Sequence, residues 1–255
     1  LLLVFTALFA TVLAPFSYKD QNLPKALSPP FWYPDGDIHY PLGTDHLGRD
    51  LLSRIIYGAR ISLAVGAGAV LVGGTIGTAT GVVSGFFGGR VDSVLMRLAD
   101  TQLSFPAIFL AIAIMAVLGR GLFNLVAVLG FVTWVQYARV ARGSTLVVKE
   151  TEFVAAAHAI GANSFHIIIR HVLPNVMPPI FVIATLNVSR VILSEAGLSF
   201  LGLGVQPPLP TWGGMLSDGR QVFNIAWWNA VFPGVTIMLT VFGINLLGDG
   251  LAERR

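Results

Sequence analysis

The chain has 255 residues, of which 55% are hydrophobic and 11% charged, and it contains no cysteine. Soluble domains carry roughly a quarter charged residues, so the composition excludes a soluble enzyme and points to a polytopic membrane protein. Without cysteine there is no disulfide framework, thiolate metal site or cysteine nucleophile, and a net charge of +3 is no argument for a nucleic-acid partner.

A hydrocarbon core about 30 Å thick needs roughly 20 apolar residues in a helix. By that measure the sequence predicts an all-α protein with about six transmembrane helices: Leu1–Phe16, Ile61–Phe87, Phe105–Gly119, Leu122–Val140, Val176–Leu201 and Trp227–Leu247. The first, residues 1–16, is short and reads as a span truncated at its N-terminus. Residues 17–60 read as an extracytoplasmic segment, and residues 61–255 as the membrane core with an inner loop at 141–175.

In the second span Gly73, Gly77, Gly81 and Gly85 recur every four residues and share one helical face. Small residues let membrane helices approach closely, because lipid supplies no hydrophobic drive for pairing. Static packing and sliding against a partner helix both fit this face. Trp134, Tyr137, Trp227 and Trp228 read as anchors at headgroup depth, and Trp212 as a packing residue in a proline-stiffened outer loop.

Ionisable residues inside a membrane are costly and usually functional. The fifth span carries them: Asn187, Arg190 and Ser194 share a face, with Glu195 beside it. Two readings stand, a polar strip along a solute path and an Arg190 satisfied by Glu195 or by helix-end carbonyls. His39 and His46 with Asp37 and Asp45 match no fixed metal-ligand spacing and read as solvated loop residues. No metal site is expected. Lys19, Lys25 and Lys149 are the only lysines and none follows a glycine, so the chain holds no phosphate-cradling P-loop.

The inner loop holds a different pattern. Glu152-Phe-Val-Ala-Ala-Ala-His-Ala-Ile-Gly161 is alanine-rich and helix-favouring. Gly161 suits the left-handed turn that ends such a helix. Ser164 is the expected cap of a second helix, which runs to Pro174, where the proline redirects the chain into the fifth span. With this loop inside, eight basic residues lie on the inner side, including Arg254 and Arg255, against seven outside. The positive-inside rule cannot separate those totals, so the motif assigns the side.

This loop resembles the signature loop of ABC-transporter permeases, which meets the ATPase. The resemblance extends to Gly43-Thr-Asp-His-Leu-Gly-Arg-Asp50, Gly58-Ala-Arg-Ile-Ser-Leu63, Gly88-Gly-Arg-Val-Asp92, Ser104-Phe-Pro106, Leu198–Pro208 and Asn245–Leu251. Those segments are similar to dipeptide, oligopeptide and nickel importer permeases, specifically the second of the two permease subunits. The resemblance implies a type I importer permease fold in a prokaryotic plasma membrane and transport of short peptides, with nickel chelate or glutathione as alternative cargo. An autonomous channel or carrier is the reading from another class. The partners implied are a similar permease, two cytoplasmic ATPase subunits and an extracytoplasmic solute-binding protein. ATP and magnesium would be bound by the ATPase subunits, with no cofactor on this chain. Carried over by position, Glu152, Ala156, Ala157, Gly161, Leu173 and Pro174 form the ATPase-coupling loop. Ala155 departs from the glutamate of the broader signature, and Arg190 is not an expected family residue.

Overall fold

In the computed structural model, residues 2–252 are described; Leu1, where the first expected span begins, and the basic residues Arg254 and Arg255 lie outside them. The helices in chain order are α1 (Leu2–Leu8), α2 (Ala10–Leu13), α3 (Leu51–Phe87), α4 (Gly89–Leu103), α5 (Ala107–Leu118), α6 (Leu122–Val148), α7 (Glu152–Ala159), α8 (Ser164–Ile167), α9 (Leu173–Phe200), α10 (Trp212–Gln221) and α11 (Trp228–Ala252). No strand occurs among the described residues, apart from an isolated bridge between Thr44 and Asp50.

Four helical runs are long and apolar enough to cross a membrane: Leu51–Phe87, Leu122–Val148, Ser164–Phe200 and Trp228–Gly250. The expected third span differs. α5 has 12 residues, or ~18 Å at 1.5 Å per residue, too short to cross alone. It forms one broken unit with α4, bent by 90°. Pro106 explains the break, because proline lacks the amide hydrogen and pushes the residue before it out of helical backbone. α1 and α2 together are likewise shorter than a span.

The second span also begins ten residues earlier than expected, at Leu51. Its 37 residues extend ~55 Å, well beyond the ~30 Å hydrocarbon layer. The turns of α3 before Ile61 are therefore helix rather than loop. Asp50 caps them by accepting from the Ser53 amide at 2.8 Å.

α3 and α6 form the central pair and run in the same direction. The glycine face of α3 lies directly on α6. A Cβ at Gly77 would sit 2.2 Å from the Trp134 carbonyl oxygen, and one at Gly81 2.2 Å from that of Ala138. Gly73 meets Gly130 and Thr133, and Gly85 meets Arg142 and Thr145. All four are buried. α9 runs antiparallel to this pair and packs on both, and α11 closes against α9.

Of the four expected aromatic anchors, three are interior. Tyr137 is fully buried and Trp134 nearly so, its indole donating to Gln102 Oε1 at 2.6 Å. Trp228 is also interior and donates to the Thr44 carbonyl at 3.2 Å. These rings fill contacts between elements of the bundle. Only Trp227 is partly exposed, donating to the Tyr33 hydroxyl at 3.0 Å. Trp212 opens α10, is 1% exposed, and donates to the Ile55 carbonyl on α3 at 3.0 Å.

Candidate functional site: the loop helices, the polar face of α9 and the opposite mouth

At one end of the bundle, α7 and α8 form a two-piece element. Gly161 joins them with φ +80°, in the left-handed region where a side chain is strained. The cap of the second piece is Asn163, which accepts from the His166 amide at 2.8 Å. Ser164 is instead the first helical residue. Pro174 does not turn the chain. A π-helical turn at Ile168–Val172 precedes it, Pro174 sits in the first turn of α9, and the run from Ser164 to Phe200 is one continuous rod. The Leu173 amide bonds to the Ile168 carbonyl, five residues back, and this local shift of the hydrogen-bond ladder lets the rod pass Pro174 without a break.

The two faces of α7 are distinct. Val154 and Ala157 are buried together with Ile167, Val172, Val176, Tyr137, Ala141 and Val82, so the element is anchored to α3, α6 and α9. Ala157 therefore belongs to the anchoring face and Ala156 to the open one. On the open side Glu152, Ala155, Ala156 and Gly161 are joined by exposed Phe153, Ile160 and Phe165, the last two 85% and 75% exposed. Leu173 is half-buried and Pro174 exposed. The sequence reading passed over Phe153, Ile160 and Phe165 because apolar residues in a membrane chain carry no local signal of exposure.

The polar residues of α9 separate into different environments. Arg190 is exposed on the helix flank and makes a 3.4 Å contact from Nη1 to Gln136 Oε1 of α6. Ser194 bonds back to the Arg190 carbonyl at 2.9 Å. Glu195 is not the partner of Arg190. It is fully buried on another face, where Ser199 Oγ donates to it at 2.6 Å and Ser62 Oγ of α3 at 3.3 Å. Asn187 is also fully buried, and both of its side-chain polar atoms lack a well-formed hydrogen bond. The expected strip is thus Arg190 with Ser194, while Asn187 and Glu195 face the interior.

The opposite end holds a buried ion cluster. Asp45 is 2% exposed, and its Oδ2 accepts from Arg49 Nε at 2.6 Å and from Arg54 Nη1. Its Oδ1 accepts the amides of Leu47 and Arg49 at 2.8 and 3.0 Å. Burial alone raises the Asp45 carboxyl, but the Arg54 and Arg49 guanidiniums outweigh it and hold the group below its usual range. The reading of Asp45 as a solvated loop acid is corrected: its partners lie four and nine residues on, at the turn into α3. Asp50, with no cation beside it, is pushed up by burial despite its bonds to Ser53. His39 remains exposed and pairs only with Asp37, at 2.9 Å. No group of three or more metal-type ligands occurs among the described residues.

Residues 77–254 match the family described as "Binding-protein-dependent transport system inner membrane component". The chain belongs to this family. It is a multi-pass inner-membrane transport subunit. The permease is 44% identical over 253 residues, 99% of this chain and 84% of the relative, to the Di/tripeptide transport system permease protein DppC of Pseudomonas aeruginosa (strain UCBPP-PA14). It is 43% identical over 257 residues, 99% of this chain and 82% of the relative, to the Glutathione transport system permease protein GsiD of Escherichia coli O6:K15:H31. Its fold resembles a chain of the inward-facing MetNI methionine ABC transporter with TM-score 0.63 and 19% identity, covering 79% of this chain and 95% of the other. The type I importer fold expected from the sequence is the fold observed.

Proposed function

We propose that the chain forms half of the translocation pathway of an ATP-driven importer of short peptides. A similar permease forms the other half, two ATPase subunits sit on the face of α7 and α8, and a solute-binding protein delivers cargo outside. The observation that carries the coupling role is the two-faced α7–α8 element. It is anchored through Val154, Ala157 and Ile167, yet leaves Phe153, Ala156, Ile160 and Phe165 open. Large apolar side chains left open on an anchored polar loop are the kind of surface a protein partner covers.

In this reading Glu152 and Ala156 meet the ATPase, and Gly161 with Leu173 and Pro174 passes the movement into the rigid α9 rod. Arg190 and Ser194 line the pathway. An arginine held on the lipid face of a mid-membrane helix would be costly, whereas a water-filled path between two permeases solvates it. Peptide cargo is supported by the 44% identity to a di/tripeptide permease. Glutathione stands as a second cargo, because a relative of that name is 43% identical over the same share of the chain.

Reconstitution tests this reading. Proteoliposomes holding both permeases and both ATPases should take up labelled dipeptide only with ATP and loaded binding protein. Vesicles holding this chain alone should take up none. ATP-independent uptake by the single chain would overturn the reading in favour of a carrier or channel. Glutathione uptake in place of dipeptide uptake would reassign the cargo.

A further inference from the structure

A small polar cavity opens at the outer end of the bundle, between the start of α3, the turn joining α5 to α6, and the loop and helix that follow α9. Its volume is about 150 Å³, and it is lined by Arg54, Arg120, Gln206, Thr211, Ser217 and Asp218 among others. At a liquid share of ~30 Å³ each, it has room for about five waters. Pockets that enclose whole small molecules run from ~300 Å³ upward, so this one fits a single functional group.

Its charged groups are incompletely paired. Arg54 is 4% exposed, its Nη1 is committed to Asp45, and its Nε has no hydrogen-bond partner. Its Nη2 lies 3.9 Å from Asp218 Oδ2, too far for a hydrogen bond. Arg120 makes a single 3.4 Å contact to Gln206 Oε1. A guanidinium offers five donors in a planar fork that matches a carboxylate. Two such forks border the cavity, and the one carboxylate of its lining, Asp218, is loosely held and 38% exposed.

We propose that this cavity receives one carboxylate presented at the outer mouth, held by Arg54 and Arg120 in competition with Asp218. Two sources carry that chemistry here: the free C-terminus of a cargo peptide and an acidic side chain of the docking solute-binding protein. The first source rests on the peptide reading above; the second does not.

The complete reconstituted transporter, at saturating ATP, separates these cases. Two parameters are read for wild type, Arg120→Gln and Asp218→Asn. One is the KM for uptake of dialanine, as the free acid and as the C-terminal amide. The other is the binding-protein concentration that half-saturates ATPase stimulation. Arg120→Gln should raise one parameter about tenfold, equivalent to ~1.4 kcal/mol. Asp218→Asn should lower the same parameter, because the competing carboxylate is gone. Non-specific structural damage cannot produce opposite signs. A shift confined to the free acid assigns the peptide terminus. A shift in binding-protein half-saturation, equal for acid and amide, assigns the protein side chain. The proposal is overturned if both variants stay within twofold of wild type on both parameters, or if both raise the same one. Absence of wild-type dialanine uptake would refute the peptide cargo alone, and the ATPase measurement would still decide the cavity.

Discussion

Replacing Gly77 with alanine tests how α3 and α6 are held together. The added methyl would lie 2.2 Å from the Trp134 carbonyl oxygen, 2.6 Å from Tyr137 Cβ and 3.0 Å from the Ala138 amide nitrogen. The first of these falls about 1.2 Å short of the 3.4 Å where ordinary contact begins. Two of the three obstacles are backbone atoms of α6, so no side-chain rotation relieves the clash and the helices must separate. Overpacking of this kind costs about 1–3 kcal/mol, and alanine's better helix propensity returns only about 1 kcal/mol. Gly143, on α6 with nothing within 4 Å of an added Cβ, supplies the control. Gly143→Ala should be neutral or slightly stabilising, and Gly77→Ala destabilised relative to it by about 2 kcal/mol. At 2–4 °C per kcal/mol for chains near this size, the two melting temperatures should differ by about 4–8 °C. Thermal unfolding of both variants in the same detergent provides the assay. Equal melting temperatures would refute close backbone packing as the basis of the pair.

Asp45→Asn leaves Arg49 and Arg54 buried with little compensation and should cost about 3–5 kcal/mol, read as lost yield and melting temperature in detergent. Because the folded Asp45 carboxyl is held below its usual range, its stabilisation is present at neutral pH. It should be lost as pH falls below ~4, the unfolded value, toward the folded one. Asp50 has the opposite sign: its carboxyl is raised by burial, so wild-type stability should fall as pH rises through that group's folded value. Asp50→Asn, an equally good helix cap, should flatten that slope; an unchanged slope would contradict the assignment. Arg190→Gln should leave the melting temperature within about 2 °C, because Arg190 is exposed and weakly bonded and surface changes are usually within ~0.5 kcal/mol. It should still reduce uptake at matched complex levels; a variant that transports normally would remove Arg190 from the pathway.

The local patterns were readable in the sequence. A glycine every four residues on α3 specifies a close-packed face whatever the partner. Alanines ending in Gly161 specify a short helix and a left-handed turn. The cap was displaced by one residue because Asn163 and Ser164 are both capable caps, and only the backbone decides between them. Pro174 misled because a proline marks a break or a first turn equally well, and the π-helical turn before it has no simple composition signal. The bend between α4 and α5 escaped a hydropathy reading, which sees apolar length but not direction. The sites that depend on distant contacts were the least legible. Glu195 is enclosed by hydroxyls from α3 and α9, whereas its neighbours in the sequence suggested Arg190. Arg54 and Arg120 border one cavity only because the N-terminal ends of α3 and α6 lie at the same end of the bundle.

Energy coupling through α7 and α8 is the central claim, and the absence of native cysteine allows a direct test. Ala156→Cys places one thiol on the open face of α7, and Ala157→Cys one on its anchored face. In the assembled transporter, a short thiol–thiol cross-linker should join residue 156 to single cysteines on the ATPase surface. The yield should change between nucleotide-free and ATP-bound states, and residue 157 should react little. No cross-link from residue 156 in any nucleotide state, in a complex that still hydrolyses ATP when stimulated, would contradict the coupling role of this element.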